Sequence, residues 1–225
     1  MSKSNIFFNV DTQQDFFNDE GLDIPNNESI LKNLSILSEY VKTNNLKTIH
    51  SIRWFKEDSD FFSEMPDYRK TLPKHCLKDT KGARFINETA PFNYFLVNWE
   101  DDNLSFPEIH RNSNIVVTKK TQSLFEGNSF SEALINNLGV PFMERPTFYL
   151  YGVDVGKTAL ELLMRGYTVY IVNDANINVN GQPFKKEDII AQVMGPDSDV
   201  APKEVLELKT ILNDFSFSQK RYLKN

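Results

Sequence analysis

The sequence predicts a three-layer α/β/α sandwich built on a mostly parallel central sheet. Three observations carry this: five short β-branched and aromatic runs, longer stretches of helical period between them, and runs that are mainly apolar along their whole length. Strands of a parallel sheet are covered on both faces and therefore read as near-continuous apolar segments. Alternation of β and α then places helices on both faces of one sheet.

The predicted strands are Ile6 to Val10, Lys47 to Ile52, Ile115 to Lys119, Thr147 to Val153 and Tyr167 to Val172, and all but the second are largely apolar. After the first, Ile30, Leu31, Leu34, Leu37, Tyr40 and Val41 recur at three- and four-residue steps, which lays one apolar stripe on a helix from about Ser29 to Thr43. Phe130, Ala133, Leu134 and Leu138 repeat the pattern before Gly139, and Thr158 to Arg165 does so before Gly166, each glycine serving as a C-cap. Helical stretches around Ile189 and from Pro202 to Leu212 follow, giving a C-terminal helical extension after residue 175. Residues 54–113 carry Pro66, Pro73, Pro91 and Pro107 without a clear helix or parallel strand. They are too long for an ordinary loop and are expected to fold as an excursion over one edge of the sheet. No repeat, low-complexity tract or linker divides the chain, so residues 1–225 read as a single domain.

Composition narrows the function classes. With 25 Lys+Arg against 31 Asp+Glu the net charge is −6, so no bulk positive field attracts a phosphate backbone or an anionic lipid, and neither nucleic acid nor membrane is an expected partner. A single cysteine, Cys76, makes no internal disulfide and fits a reducing compartment. The start, Met-Ser-Lys-Ser followed by a short apolar run that ends at Asp11, is too short for a secretory leader. No later run approaches the roughly 20 apolar residues of a membrane span. A cytoplasmic protein is expected.

In open α/β sheets, ligands sit beyond the carboxyl ends of the strands. Asp11, Lys119, Asp154 and Asp174 follow or close four of the predicted strands and could line one edge. Each also has a structural reading, since loops after strands are polar and Asp is a favoured helix N-cap.

These residues resemble a family. Val10-Asp11-Thr12-Gln13-Gln14-Asp15-Phe16 is similar to the D-x-Q-x-D-F opening of the isochorismatase-like cysteine hydrolases, which include nicotinamidases. Leu72-Pro73-Lys74-His75-Cys76 with Thr80, Gly82 and Ala83 resembles the W-P-x-H-C…G-T-x-G-A segment, with leucine for tryptophan. Lys119 to Phe125 resembles K-x-x-x-S-x-F, and Thr158-Ala159, Gly166-Tyr167 and Asp174-Ala175 resemble T-A…G-Y…D-A, in the family's order.

The resemblance implies an isochorismatase-like, Rossmann-like fold and a hydrolase site. In that site a cysteine thiolate at a helix N-terminus attacks a carbonyl, an aspartate is its base and a lysine stabilises charge. It assigns the aspartate to Asp11 and the lysine to Lys119, with Lys120 as the adjacent alternative, and sets Phe16, Trp54 and His75 at the ligand. His75 also reads as a hydrogen-bonded loop histidine. Counting back from Thr158 and Tyr167, the nucleophile's position is 154, and this chain has aspartate there. Cys76 lies in a different segment. The family's D-W-H-x-x-x-H metal stretch reads Arg53-Trp54-Phe55-Lys56-Glu57-Asp58-Ser59, which leaves His75 alone, so no metal or other cofactor is expected. A charge cluster with the lysine between the two acids is expected instead, and Arg53 is a further candidate to neutralise them.

Three readings follow. In one, the chain lacks cysteine-dependent hydrolysis and binds a small molecule, an amide or aromatic acid, or a partner. In the second it is a cysteine-independent hydrolase of amides or vinyl ethers, using Asp11 and Lys119 with Asp154. The third is P-loop nucleotide binding at Gly152 to Thr158, although only three residues separate its glycines and Tyr151 stands where the first is needed. The resemblance also implies a homo-oligomer.

Overall fold

In the computed structural model the apolar runs become a seven-stranded sheet in which every pairing is parallel. The structure describes residues 5–18, 21–25, 27–68, 70–101, 114–127, 131, 135, 146–184 and 204–206. The elements are β1 (Asn5–Val10), α1 (Asn27–Thr43), β2 (Thr48–Arg53), β3 (Tyr94–Val97), β4 (Asn114–Lys119), β5 (Thr147–Val153), α2 (Val155–Met164), β6 (Thr168–Ile177) and β7 (Glu204–Leu206). The sheet order is β3-β4-β2-β1-β5-β6-β7.

β1 lies in the middle and is buried on both faces, which is why its sequence is apolar throughout. Ile6, Phe8 and Val10 enter the core beneath α2, with Ile49, Leu150, Ala159, Leu162 and Ile171. Phe7 enters the opposite core, where Ile30, Leu34, Leu37 and Val41 of α1 meet Val153 and Val172. The spacing of those four α1 residues is the stripe read from the sequence, now pressed onto the sheet at β6. Helix, sheet and helix are the three layers. No helix among the described residues is long and apolar enough to cross a membrane.

Three expectations change. Tyr94–Val97 inside the excursion is a parallel strand pairing with β4, and it forms the sheet edge. Its four residues are too few for a period to be read. The excursion also returns to the sheet centre, where Ile86 N donates to Thr12 O (3.0 Å) and Gln14 N to Arg84 O (2.8 Å). β6 continues past Val172 to Ile177 with a register shift: Leu150 pairs with Ile171 but Gly152 with Asn176. Asp174 therefore lies inside an irregular strand rather than after it, and its carbonyl accepts Asn33 Nδ2 (2.6 Å). Within the expected helix from Pro202 to Leu212, Glu204–Leu206 is a strand, because β6 offers it a free edge to pair with. The stretches around Leu134 and Ile189 lie essentially outside the described residues.

The connectivity positions the site. The chain moves from β1 outward to β2 and β4, then returns to β5 on the other side of β1, so the topological switch point lies between β1 and β5. Asp11 and Asp154 leave those two strands side by side.

Candidate functional site

Asp11 and Asp154 both adopt the left-handed backbone conformation, with φ of 50° and 49°. Aspartate tolerates this region better than most residues, and it turns the chain sharply off a strand end. Residue 154 is the only residue between β5 and α2. Gly152 makes that junction possible: at φ 112° a Cβ there would sit 2.1 Å from Val10 O.

Four charged side chains meet at this rim. Asp11 Oδ2 accepts Arg53 Nε and Lys119 Nζ, each at 2.7 Å, and Oδ1 accepts Ser51 Oγ at 2.7 Å. Arg53 Nη2 then donates to Asp154 Oδ2 at 2.8 Å, while Asp154 Oδ1 accepts Val179 N at 3.1 Å. Lys119 Nζ also donates to Gln122 O at 3.3 Å. Thus Arg53, rather than the lysine, bridges the two acids. Its length and fork let one guanidinium reach both carboxylates.

Two acids and two bases make the cluster neutral in net charge, the condition under which charges are tolerated away from water. Asp11, Arg53 and Lys119 are fully enclosed, whereas the Asp154 side chain is 20% exposed. Burial alone would raise the Asp11 carboxyl, but Lys119 and Arg53 outweigh it and hold its pKa below the usual carboxylate range. Burial draws Lys119 down despite the pull of Asp11. Arg53 is raised further above its already high value, the two acids overcoming its desolvation.

Gln13 holds the cluster's frame. Its Oε1 accepts Arg53 N (2.7 Å), and its Nε2 donates to Arg53 O (2.8 Å) and Ala83 O (2.9 Å). Beneath the guanidinium lies the Phe16 ring, 4.9 Å from Cζ. His75 donates from Nδ1 to Pro73 O (2.8 Å) and turns Nε2 toward Arg53 Nη1 (3.4 Å). Burial and the nearby Arg53 push the His75 pKa down to about 3, so the ring is neutral. Phe16, Phe55, Phe61 and Phe62 pack around it, with ring centres 5.3–6.0 Å away.

Phe16 and His75 therefore belong to the packed wall of the cluster. Trp54 does not join them: it lines a separate cleft of about 390 Å³ with Ile52, Leu96 and Val116. None of four well-formed clefts among the described residues is lined by Asp11, Arg53, Lys119 or Asp154.

Several solved structures share this architecture. An isochorismatase-like hydrolase from Alkaliphilus metalliredigens superposes with a TM-score of 0.63 at 19% identity, over 94% of this chain and 99% of that one. N-carbamoylsarcosine amidase from Thermoplasma acidophilum gives 0.58 at 18%, over 91% and 95%. The pyrazinamidase of Pyrococcus horikoshii in complex with zinc gives 0.54 at 24%, over 83% and 90%. The chain has the isochorismatase-like hydrolase fold. No family model and no curated protein matches the sequence.

Within the isochorismatase-like frame, a zinc site does not fit these residues. No group of three or more His, Cys, Asp or Glu among the described residues could hold a metal ion. The permanent cation of Arg53 also stands beside the one available imidazole nitrogen. The P-loop reading fails on geometry: β5 passes into α2 through one residue, which leaves no loop to cradle a phosphate, and Lys157 lies near Glu161 (3.8 Å) on the helix.

Cys76 is enclosed among Phe16, Phe55 and Ile86, and burial raises its thiol pKa well above the ordinary value. Its backbone N donates to Asp15 Oδ2 at 2.5 Å, so the second aspartate of the opening motif serves to fix this segment. A thiol held protonated and out of solvent is a poor nucleophile. Iodoacetamide at pH 8 is expected to leave Cys76 unlabelled in the native protein and to alkylate it in denaturant. Native labelling at the rate of a free thiol would contradict this placement.

Proposed function

We propose that the chain is an isochorismatase-like protein without covalent hydrolase chemistry, one that binds a small amide or aromatic acid rather than cleaving it. The observation that carries this reading is the state of Asp154. At the strand-to-helix junction, where the resemblance implies the nucleophile, its carboxylate is held by Arg53 Nη2 and Val179 N. Asp11, the implied base, already accepts three hydrogen bonds, from Ser51, Arg53 and Lys119. Its depressed pKa also makes it a weak base and leaves it no proton to give near neutrality.

One observation favours the cysteine-independent hydrolase as the second reading: Asp154 is the member of the cluster most open to solvent. The test is release of ammonia from nicotinamide and from N-carbamoylsarcosine, run alongside Asp154→Asn. The binding reading expects no turnover above the variant. Turnover in the wild type that disappears in Asp154→Asn would establish the hydrolase instead.

Asp154→Cys tests the position itself. A thiol there would lie at the N-terminus of α2, beside Arg53, and both lower a thiol pKa. Its iodoacetamide reaction profile is expected to have a midpoint well below the ordinary value of about 8.5. A midpoint at the ordinary value would remove the argument that this junction activates a nucleophile.

A further inference from the structure

A cleft of about 770 Å³ opens beyond the carboxyl ends of β2, β3 and β4, on the far side of β2 from the switch point between β1 and β5. Lys56, Trp99 and Lys120 of its lining follow directly on those three strands. The volume falls within the roughly 300–1,000 Å³ of small-molecule sites. The charged side chains of the Asp11 cluster do not line it, although Gln122, which does, gives its carbonyl to Lys119 Nζ (3.3 Å).

Four lysines converge here from four segments: Lys56 after β2, Lys70 in the excursion, Lys120 after β4 and Lys157 on α2. The chain as a whole is acidic, so this concentration of cations is local. Lys56 Nζ lies 5.3 Å and Lys120 Nζ 5.6 Å from the centre of one ring, that of Trp99, which draws both ammoniums to the same place. Among the described residues Lys70 and Lys120 have no ion pair. Lys56 has a loose contact of 3.9 Å with Glu100, which Lys78 holds more closely, and Lys157 one of 3.8 Å with Glu161.

Asp58, Asp60 and Glu126 line the same cleft, yet none of them pairs with any of the four lysines. The Asp58 and Asp60 carboxylates accept no hydrogen bond among the described residues, and Glu126 accepts a long one from Thr121 Oγ1 (3.4 Å). Charges of both signs are thus left open across one cleft. Lysines act as point charges that suit a phosphate, whose several oxygens can meet more than one ammonium. Ionised carboxylates only accept, and hydroxyl groups of the same ligand can donate to them. The lining carries one cation more than it carries acids, which favours a ligand of net negative charge over a zwitterion.

We infer that this cleft binds a small phosphorylated polyol, of the sugar phosphate class, with the phosphate between Lys56 and Lys120 and hydroxyl groups donating to the facing carboxylates. The inference does not rest on the chemistry of residue 154 or on the reading of the Asp11 cluster.

The probes are glucose 6-phosphate, glucose and inorganic phosphate, added to the full chain at low ionic strength and followed by 15N NMR. The chain has two tryptophans, and the indole of Trp54, which lines a separate cleft, is an internal control. Glucose 6-phosphate is expected to move the Trp99 indole resonance saturably while that of Trp54 stays in place, and to bind at least tenfold more tightly than glucose or phosphate. Lys120→Gln is expected to weaken binding about fivefold, the effect of one nearby unit charge in water. Lys32→Gln, an equal loss of charge on the exposed side of α1, and Asp154→Asn are expected to leave it unchanged. No saturable shift at about 10 mM glucose 6-phosphate, an equal affinity for inorganic phosphate, or equal weakening by Lys120→Gln and Lys32→Gln would each overturn the proposal. Loss of binding in Asp154→Asn would put the ligand at the Asp11 cluster and overturn it as well.

Discussion

Arg53→Ala is expected to lose about 3–5 kcal/mol of stability, the usual cost of removing one partner from a buried charge pair. Asp11 would keep Lys119 and Ser51 but lose the bidirectional clamp, and Asp154 would lose its only cationic partner among the described residues. The Phe16 ring would also lose the guanidinium above it, which leaves a void in a close-packed region. For a chain of this length the loss corresponds to a fall in Tm of roughly 6–20 °C. Asp154→Asn is expected to cost much less, since this side chain is partly solvated and asparagine retains an oxygen for Val179 N. Denaturant titration of the two variants checks the order. Equal losses would mean that the bridge to Asp154, rather than the buried centre at Asp11, carries the stability.

Acidification from pH 7 to pH 5 is expected to remove about 4 kcal/mol, roughly 2 from each of two histidines. His50 and His75 have native pKa values near 3, lowered first by burial. In the unfolded chain they protonate at their ordinary value of about 6.5. Between these limits the unfolded state binds more protons, so stability falls as pH falls. The loss begins near pH 6.5 and continues toward pH 3. Asp11 adds to it at the acid end: a carboxylate held below its ordinary pKa stabilises the fold above that value and ceases to do so once protonated. Urea titrations across pH 7 to 5 read the slope, and His75→Gln should roughly halve it. A stability that stays flat over this range would mean that both rings titrate in the native protein as they do in the unfolded chain.

Much of the fold was legible because period is local. Thr147–Val153 stands as a strand with the bounds read from its residues, and the α1 stripe is the one counted from Ile30 to Val41. β3 was not legible, because four residues at a sheet edge become a strand through what β4 offers them. The irregularity of β6 likewise depends on where Gly152 lets β5 bend toward β1.

The candidate site divides in the same way. That Asp11, Lys119 and Asp154 close their strands is written in the chain, and parallel pairing carries all three to one rim. Arg53 carried a weaker signal, a charge just past a predicted strand, and Gln13 stood in a quoted motif without a role. His50 had none, because its contact with Asn9 is made across 41 positions of chain.

The sequence by itself determined the order of β1, β2, β4, β5 and β6 with α1 and α2, the residue types at the ends of those strands and the absence of cysteine at position 154, since each follows from neighbouring residues. Only the tertiary structure decided that Arg53 joins the two acids, across 42 and 101 positions of chain. Coulombic partners are chosen by distance in space and by exclusion of water, and neither quantity exists until the sheet has brought its strand ends together.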